Sequence, residues 1–559
     1  MSTSTTNPPL LVVGRVFTAD PNAPWAEAVL TDGDCIAYVG SQEQARRLAP
    51  SDVEVVIADG VVLPGFVDGH AHLQMSGAAL LQAQLRSCAS LAEIGDALAE
   101  WRTRHPDAKR VLGIGWLFSA VPDGTPTRQM LDAFVGDVPV YLSASDLHSV
   151  WTNTAGLHEL GIGDTTPDPV GGRIVRDHAG SATGLLLENA AIELAWPVTN
   201  RASEPERDRY VQTIVAAYLA AGTTTAVDMA LDAEGLAALI RADADGELPF
   251  TVIAHWHVRR AATSAEEVAQ VRTAAEHATR LRSGRVRVAG IKLILDGTID
   301  GCTAALLDPY ATHAIERDSR AVPTGELIWP RESLDPVVFA ADGAGLQIAM
   351  HAIGDRAVRT ALDSLELAAE LRAARGDTRE RRHRIEHLEY VDEADVPRLA
   401  QLGVTASMQP VHCDPAGLEN WIDVLGADHR TRRGFAWPEY LDTGATLAFG
   451  TDTPTANHEP LPNMFIAATR CSPSDPNLPA YVPEFALPLA DAVGYATRVS
   501  AWASFLEHER GMLRPGLAAD LVLLDHDPFV DGPLSLLATH VVCTIVAGRV
   551  RHRISTGPS

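Results

Sequence analysis

The sequence predicts a (β/α)8 barrel that carries a small all-β layer built from both chain ends and an inserted subdomain. Three observations lead there. Both ends of the chain are β-branched runs broken by Gly, Asp and Pro. Between them, eight compact apolar runs alternate with Ala/Arg/Glu-rich helical stretches, the pattern of parallel βα units. After the first of those runs comes a stretch far longer than one helix needs. With 559 residues, 46% of them hydrophobic and 21% charged, the chain can bury a large core and is neither a disordered tail nor a disulfide-stapled mini-protein.

Taken in order, residues 10–60 read as short strands: LLVVGRVFTAD, AEAVLTDGDCIAYVG and VEVVIADG. The carboxyl end, from GLAADLVLLDHDPF to HVVCTIVAGRVRH, has the same texture. Residues 1–61 and 505–559 are therefore assigned to one small domain and 62–504 to the barrel, with 75–205 inserted between its first and second strands. The eight runs are VVLPGFVDGHAH (61–72), TTTAVDM (223–229), FTVIAHWHV (250–258), VAGIKLILDG (288–297), LQIAMHAIGD (346–355), RHRIEHLEYV (382–391), GVTASMQPVH (403–412) and TLAFGTDTP (446–454). Helical stretches such as 205–221, 264–282, 355–374 and 486–506 lie between or after them. In such a barrel the active site lies where the carboxyl ends of the strands meet.

Charge and cysteine content exclude several function classes. Lys+Arg 45 against Asp+Glu 72 leaves a net charge of −27, which repels phosphate polyanions and argues against nucleic acid or an anionic bilayer as partner. No run approaches the roughly 18 apolar residues of a membrane helix, and the first residues, MSTSTTNPPLL, lack the regions of a secretory signal. Cys35, Cys88, Cys302, Cys413, Cys471 and Cys543 are scattered, with no C-x-x-C pair, so neither a disulfide framework nor a thiolate zinc site is expected. A cytoplasmic protein follows. Only Lys109 and Lys292 are lysine among the 45 basic residues, so the position of each is informative. Lys109 lies in the polar segment RHPDAKR and reads as a solvated surface group.

His70 and His72 close the first run one residue apart, so on an extended strand both imidazoles face the same side. Lys292 lies in the fourth run, His351 in the fifth, His387 in the sixth and Asp452 in the eighth. Any one of these has a bland reading: an H-x-H pair is often just polar, an isolated interior histidine is usually hydrogen-bonded, and Lys292 could pair with Asp296. Together they bring four imidazoles, a carboxylate and an amine to one end of the barrel, the donors that zinc and similar divalent ions take. A protonated lysine there would cost several kcal/mol through like-charge repulsion. Burial depresses its pKa, and a neutral amine can add to CO2 to give a carbamate that bridges two ions.

The words LPGFVDGHAH, GIKLILDG, HAIGD, RIEHLEYV, FGTDTP and RPGLAADLVLLDHDP resemble the amidohydrolase superfamily, specifically its YtcJ-like branch with the N-substituted formamide deformylases (amidohydrolase family 3). The resemblance covers nearly the whole chain. It implies a distorted TIM barrel with a small β-sandwich domain. It also implies that His70 and His72 bind the more buried ion, that a CO2-derived carbamate on Lys292 bridges, that His351 and His387 hold a second ion, and that Asp452 contacts the nucleophilic water. Zinc is the default, as one or two ions. Where the branch usually shows D-G-H-S, this chain has Asp146-Leu147-His148-Ser149, and Thr453 follows Asp452 where the branch commonly has Trp. His255 and His257 form a second H-x-H, read as structural or pocket-lining.

The implied reaction is hydrolysis of a C–N bond in an amide, N-substituted formamide, carbamate or cyclic amide, with Asp452 as general acid/base and Lys292 in the catalytic set. A decarboxylase or isomerase on the same metal barrel is the alternative within enzymes, and an inactive regulatory homologue is the alternative outside them. Trp116, His148, Cys302 and Trp329 are the candidate substrate contacts. With Phe118 and Trp437 they suggest a small apolar or aromatic substrate. The sequence leaves room for a homodimer.

Overall fold

The computed structural model describes residues 7–145, 149–169, 172–312, 322–418, 420–426 and 428–554. All eight expected runs form strands: β1 (Phe66–Ala71), β2 (Thr223–Leu231), β3 (Thr251–His257), β4 (Val286–Ile294), β5 (Gln347–Ala352), β6 (Arg384–His387), β7 (Thr405–Met408) and β8 (Thr446–Phe449). They pair in parallel in the order β8, β7, β6, β5, β4, β3, β2, β1. Nearly every residue of these strands is buried, with β1, β6 and β7 buried throughout. Strands covered on both faces show apolar runs instead of an alternating pattern, which is why the runs stand out in the sequence.

The ring closes between β1 and β8 at their carboxyl ends. The Asp452 N–H donates to the His70 carbonyl at 2.7 Å, the His72 N–H donates to the Thr453 carbonyl at 3.0 Å, and Ala71 pairs with Thr453. Gly450 permits this approach: a Cβ there would stand 2.3 Å from the His70 backbone nitrogen. The seam that closes the barrel thus runs through three of the candidate ligands.

Strands from both chain ends form one seven-stranded sheet, in the order Arg549–Arg553, Val541–Val546, Leu521–Leu524, Glu54–Pro64, Leu10–Phe17, Trp25–Asp32, Cys35–Gly40. Along Leu10–Phe17 the period of two is plain. Leu10, Val12 and Val16 join a core with Leu521, Leu523 and Ile545, whereas Leu11 and Val13 face Ala28, Leu30 and Ala45.

The chain divides into two compact units, one of them Leu73–Ile214 and the other formed by the residues on either side. Leu73–Ile214 has its own six-stranded sheet, in the order Gly172–Arg176, Ala182–Glu188, Ser149–Thr152, Val140–Ala144, Val111–Trp116, Ala83–Gln84, and its own apolar cores. Among the described residues, no helix is long and apolar enough to cross a membrane.

Candidate metal centre

β1 delivers His70 into the barrel mouth fully buried, and His72 follows directly behind it. The Nδ1 of His70 lies 2.7 Å from Glu386 Oε2, and Arg384 grips that carboxylate at 2.6 and 3.0 Å. The Nδ1 of His72 meets the Met229 carbonyl oxygen of β2. An acceptor at Nδ1 draws the ring proton there and leaves Nε2 as a lone pair. Both Nε2 atoms turn to one carboxylate oxygen, Asp452 Oδ1, at 3.3 Å from His70 and 3.0 Å from His72.

A second group stands alongside. The His387 ring centre is 5.0 Å from that of His70, 4.5 Å from that of His351 and 5.6 Å from that of His412, which stacks on it at 10°. His351 Nε2 faces the Gly297 carbonyl at 3.3 Å and Asp296 Oδ1 at 3.5 Å. His412 sits on a turn after β7, Pro410–Cys413, with Nδ1 3.0 Å from Glu389 Oε1 and Nε2 3.4 Å from Asp452 Oδ2. Potential donor atoms fall within 4.8 Å of one another in two sets, His70/His72/Asp452 and His387/Glu389/His412.

Lys292 is buried in β4, and burial pushes its amine down to about 8 against the pull of Glu386 and Asp452. Asp296 is committed elsewhere. It accepts the backbone N–H groups of Ala305, Ile353 and Gly354 at 2.9, 3.1 and 2.9 Å, and burial lifts its carboxyl to about 7. Burial and the neighbouring His351 hold His387 well below the usual imidazole range, and burial and Lys292 lower His351 to about 3. For Asp452, burial opposes ionisation, but His70 and His72 outweigh it and keep the carboxyl well below its ordinary value.

Several features fit a divalent cation. His70 Nε2, His387 Nδ1 and His412 Nε2 are buried without a hydrogen-bond partner, an arrangement that costs about 1–3 kcal/mol for each group left unsatisfied. A cation accepts lone pairs from exactly such atoms, and imidazole with carboxylate is a zinc-type donor set. His387 and Asp452 also hold left-handed backbone, with φ of 78° and 56°. Non-glycine residues adopt it at a cost, and such strain concentrates at functional sites.

Three of the other candidates are buried indoles. Trp116 is fully buried in the core of Leu73–Ile214, its indole N–H donating to the Leu142 carbonyl at 2.9 Å. Trp329 is buried in the core around the barrel, with Arg260 over its ring. Trp437 is buried under Arg470. Cys302 is partly exposed in the segment after β4, with φ of 54°. His148 lies outside the described residues. In the second H-x-H, His255 Nε2 bonds Gln347 Oε1 at 2.9 Å and His257 Nδ1 accepts from Arg259 at 3.2 Å. Sequence reasoning passed over His412, Glu389, Glu386 and Arg384, although His412 ends the seventh run on the same side as the others.

The amidohydrolase family model matches residues 57–552. The chain is 29% identical over 551 residues to the putative amidohydrolase YtcJ of Bacillus subtilis, covering 96% of this chain and 98% of that protein. It is 28% identical to the N-substituted formamide deformylase of Arthrobacter pascens, with 97% and 98% covered. It is 29% identical to the protein LONG AFTER FAR-RED 3 of Arabidopsis thaliana, with 95% and 90% covered. Among solved structures, an uncharacterized metal-dependent hydrolase from Pyrococcus horikoshii superposes with a TM-score of 0.74 at 24% identity, over 97% of this chain and all of the other.

Proposed function

The chain belongs to the amidohydrolase family, and from that premise we propose that it hydrolyses a C–N bond in a small amide, N-substituted formamide, carbamate or cyclic amide, using one or two divalent ions of the zinc type. The observation that carries this reading is the set of buried imidazole nitrogens gathered around Asp452, of which those of His70 and His412 face its carboxylate at 3.3 and 3.4 Å without forming a well-aligned hydrogen bond. His70, His72 and Asp452 would hold the first ion, His351 and His387 the second, and Lys292 would join both. When bound, such an ion supplies a Lewis acid and brings the pKa of its water from near 16 to about 7.

The protein's own groups do the rest. His70 and His72 are fixed by Glu386 and by the Met229 carbonyl, so their donor atoms are preorganised. Asp452 takes the proton of the attacking water and passes it to the leaving nitrogen, so that an amine departs instead of an amide anion. Burial favours the neutral amine of Lys292. Its lone pair would add to the carbon of CO2 with loss of one proton, giving the anionic carbamate. A cytoplasmic setting and an apolar or aromatic substrate belong to the same reading.

Metal analysis of the purified protein, alongside a screen of N-formyl, N-acyl and carbamate compounds, tests the proposal. It predicts bound divalent metal and release of an amine that stops on chelation. Protein that leaves the cell metal-free, or product without solvent oxygen, would refute it.

A further inference from the structure

We propose that His412 is a ligand of the second ion through Nε2, and that Glu389 is not a ligand but the carboxylate that fixes the His412 tautomer. The inference rests on the metal-hydrolase reading and extends it to residues that reading does not use. Four observations carry it.

His412 Nδ1 lies 3.0 Å from Glu389 Oε1, which in the neutral ring puts the proton on Nδ1 and the lone pair on Nε2. That is the arrangement of His70, whose Nδ1 is engaged by Glu386 at 2.7 Å, and it is the usual way a carboxylate orients a metal-binding histidine. Nε2 is buried and has no hydrogen-bond partner, although Asp452 Oδ2 lies 3.4 Å away. A histidine kept only to tie Glu389 in place would not need its second nitrogen inside the site. Finally, the His412 ring stacks on that of His387 at 10°, and Nδ1 of His387, a residue only 4% exposed, has no hydrogen-bond partner either.

Asp452 then joins the two donor sets. Oδ1 faces His70 and His72, and Oδ2 faces His412. Of the six residues that the sequence picks out, none comes from β7. His412, on the turn that follows β7, supplies a further neutral donor beside His387.

The test is titration of metal-stripped full-length protein with Zn2+, read by stoichiometry and affinity, together with the visible spectrum of the Co2+-loaded protein. The wild type should bind two ions. H412A should keep the first affinity and lose more of the second than E389Q, which retains the ring and should weaken the second ion by about 10–100-fold. H412A should also change the Co2+ absorption bands. If H412A binds both ions as the wild type does, or if the wild type binds only one, the assignment of His412 is overturned and the hydrolase reading stands. If the wild type binds no ion, both fall. Because E389Q removes one charge and keeps the volume, it tests the same point should H412A fail to fold.

Discussion

At Asp452 two oxygens serve different neighbours, and a single atom change separates binding from chemistry. Asp452→Asn keeps a donor oxygen for the ion but cannot take up a proton, so it should retain metal and lose about 10^2–10^4-fold in kcat. Metal analysis and steady-state rates check this, and turnover at the parent rate would remove Asp452 from its assigned role. Lys292→Ala should bind less metal, and short carboxylic acids added to it should restore part of the activity by occupying the carbamate position. Full metal content in that variant without additives would count against the carbamate. Glu386 and Arg384 are both fully buried and paired, so Arg384→Met should cost about 3–5 kcal/mol in urea unfolding by stranding a charge. His70, His72 and Asp452 are legible in the sequence because each closes an apolar run. His412 closes the seventh run and carries the same signal, whereas Glu386 and Glu389 do not stand out, because their part comes from distances between strands that only the closed barrel sets.

The elements that hold these residues are packed too closely to tolerate small changes. A Cβ at Gly450 would meet the His70 backbone, so Gly450→Ala should part β8 from β1, lower stability by about 1–3 kcal/mol, and weaken the first ion more than the second. A thermal melt paired with Zn2+ titration reads both. The Asp of HAIGD has a different task. Asp355 opens the helix Asp355–Ala374 and accepts the Leu307 N–H at 2.8 Å, tying the segment after β4 to the end of β5. Burial raises its carboxyl to about 6. Since the folded pKa lies above the unfolded value near 4, the stability it contributes is full below pH 4 and is lost as pH rises through about 6. Asp355→Asn keeps an acceptor oxygen without the charge, so its melting temperature should gain on the wild type between pH 5 and pH 8. A constant difference across that range would contradict the assignment. The barrel strands are readable because burial on both faces makes them apolar throughout. The indoles of Trp116, Trp329 and Trp437, all buried, are less readable, because a large aromatic near a strand end carries the same signal whether it lines a pocket or fills a core.

For the molecule as a whole, a metal held by these donor sets would be coupled to folding. The proposed ligands from β1, β4, β5, β6 and the segments after β1 and β8 meet only in the folded barrel, so an ion that binds there and not to the unfolded chain would stabilise by RT ln(1 + [L]/Kd), about 4 kcal/mol at a thousandfold excess over Kd. Chelation should therefore lower the melting temperature by several degrees, and readdition of Zn2+ should restore it. The measurement that decides most directly is anomalous X-ray scattering at the metal absorption edge from crystals of the loaded protein. A peak about 2.0–2.1 Å from the Nε2 atoms of both His70 and His72, at the carboxyl end of the barrel, is the predicted result. Crystals of metal-bearing protein whose anomalous peaks all lie away from these two nitrogens would contradict it.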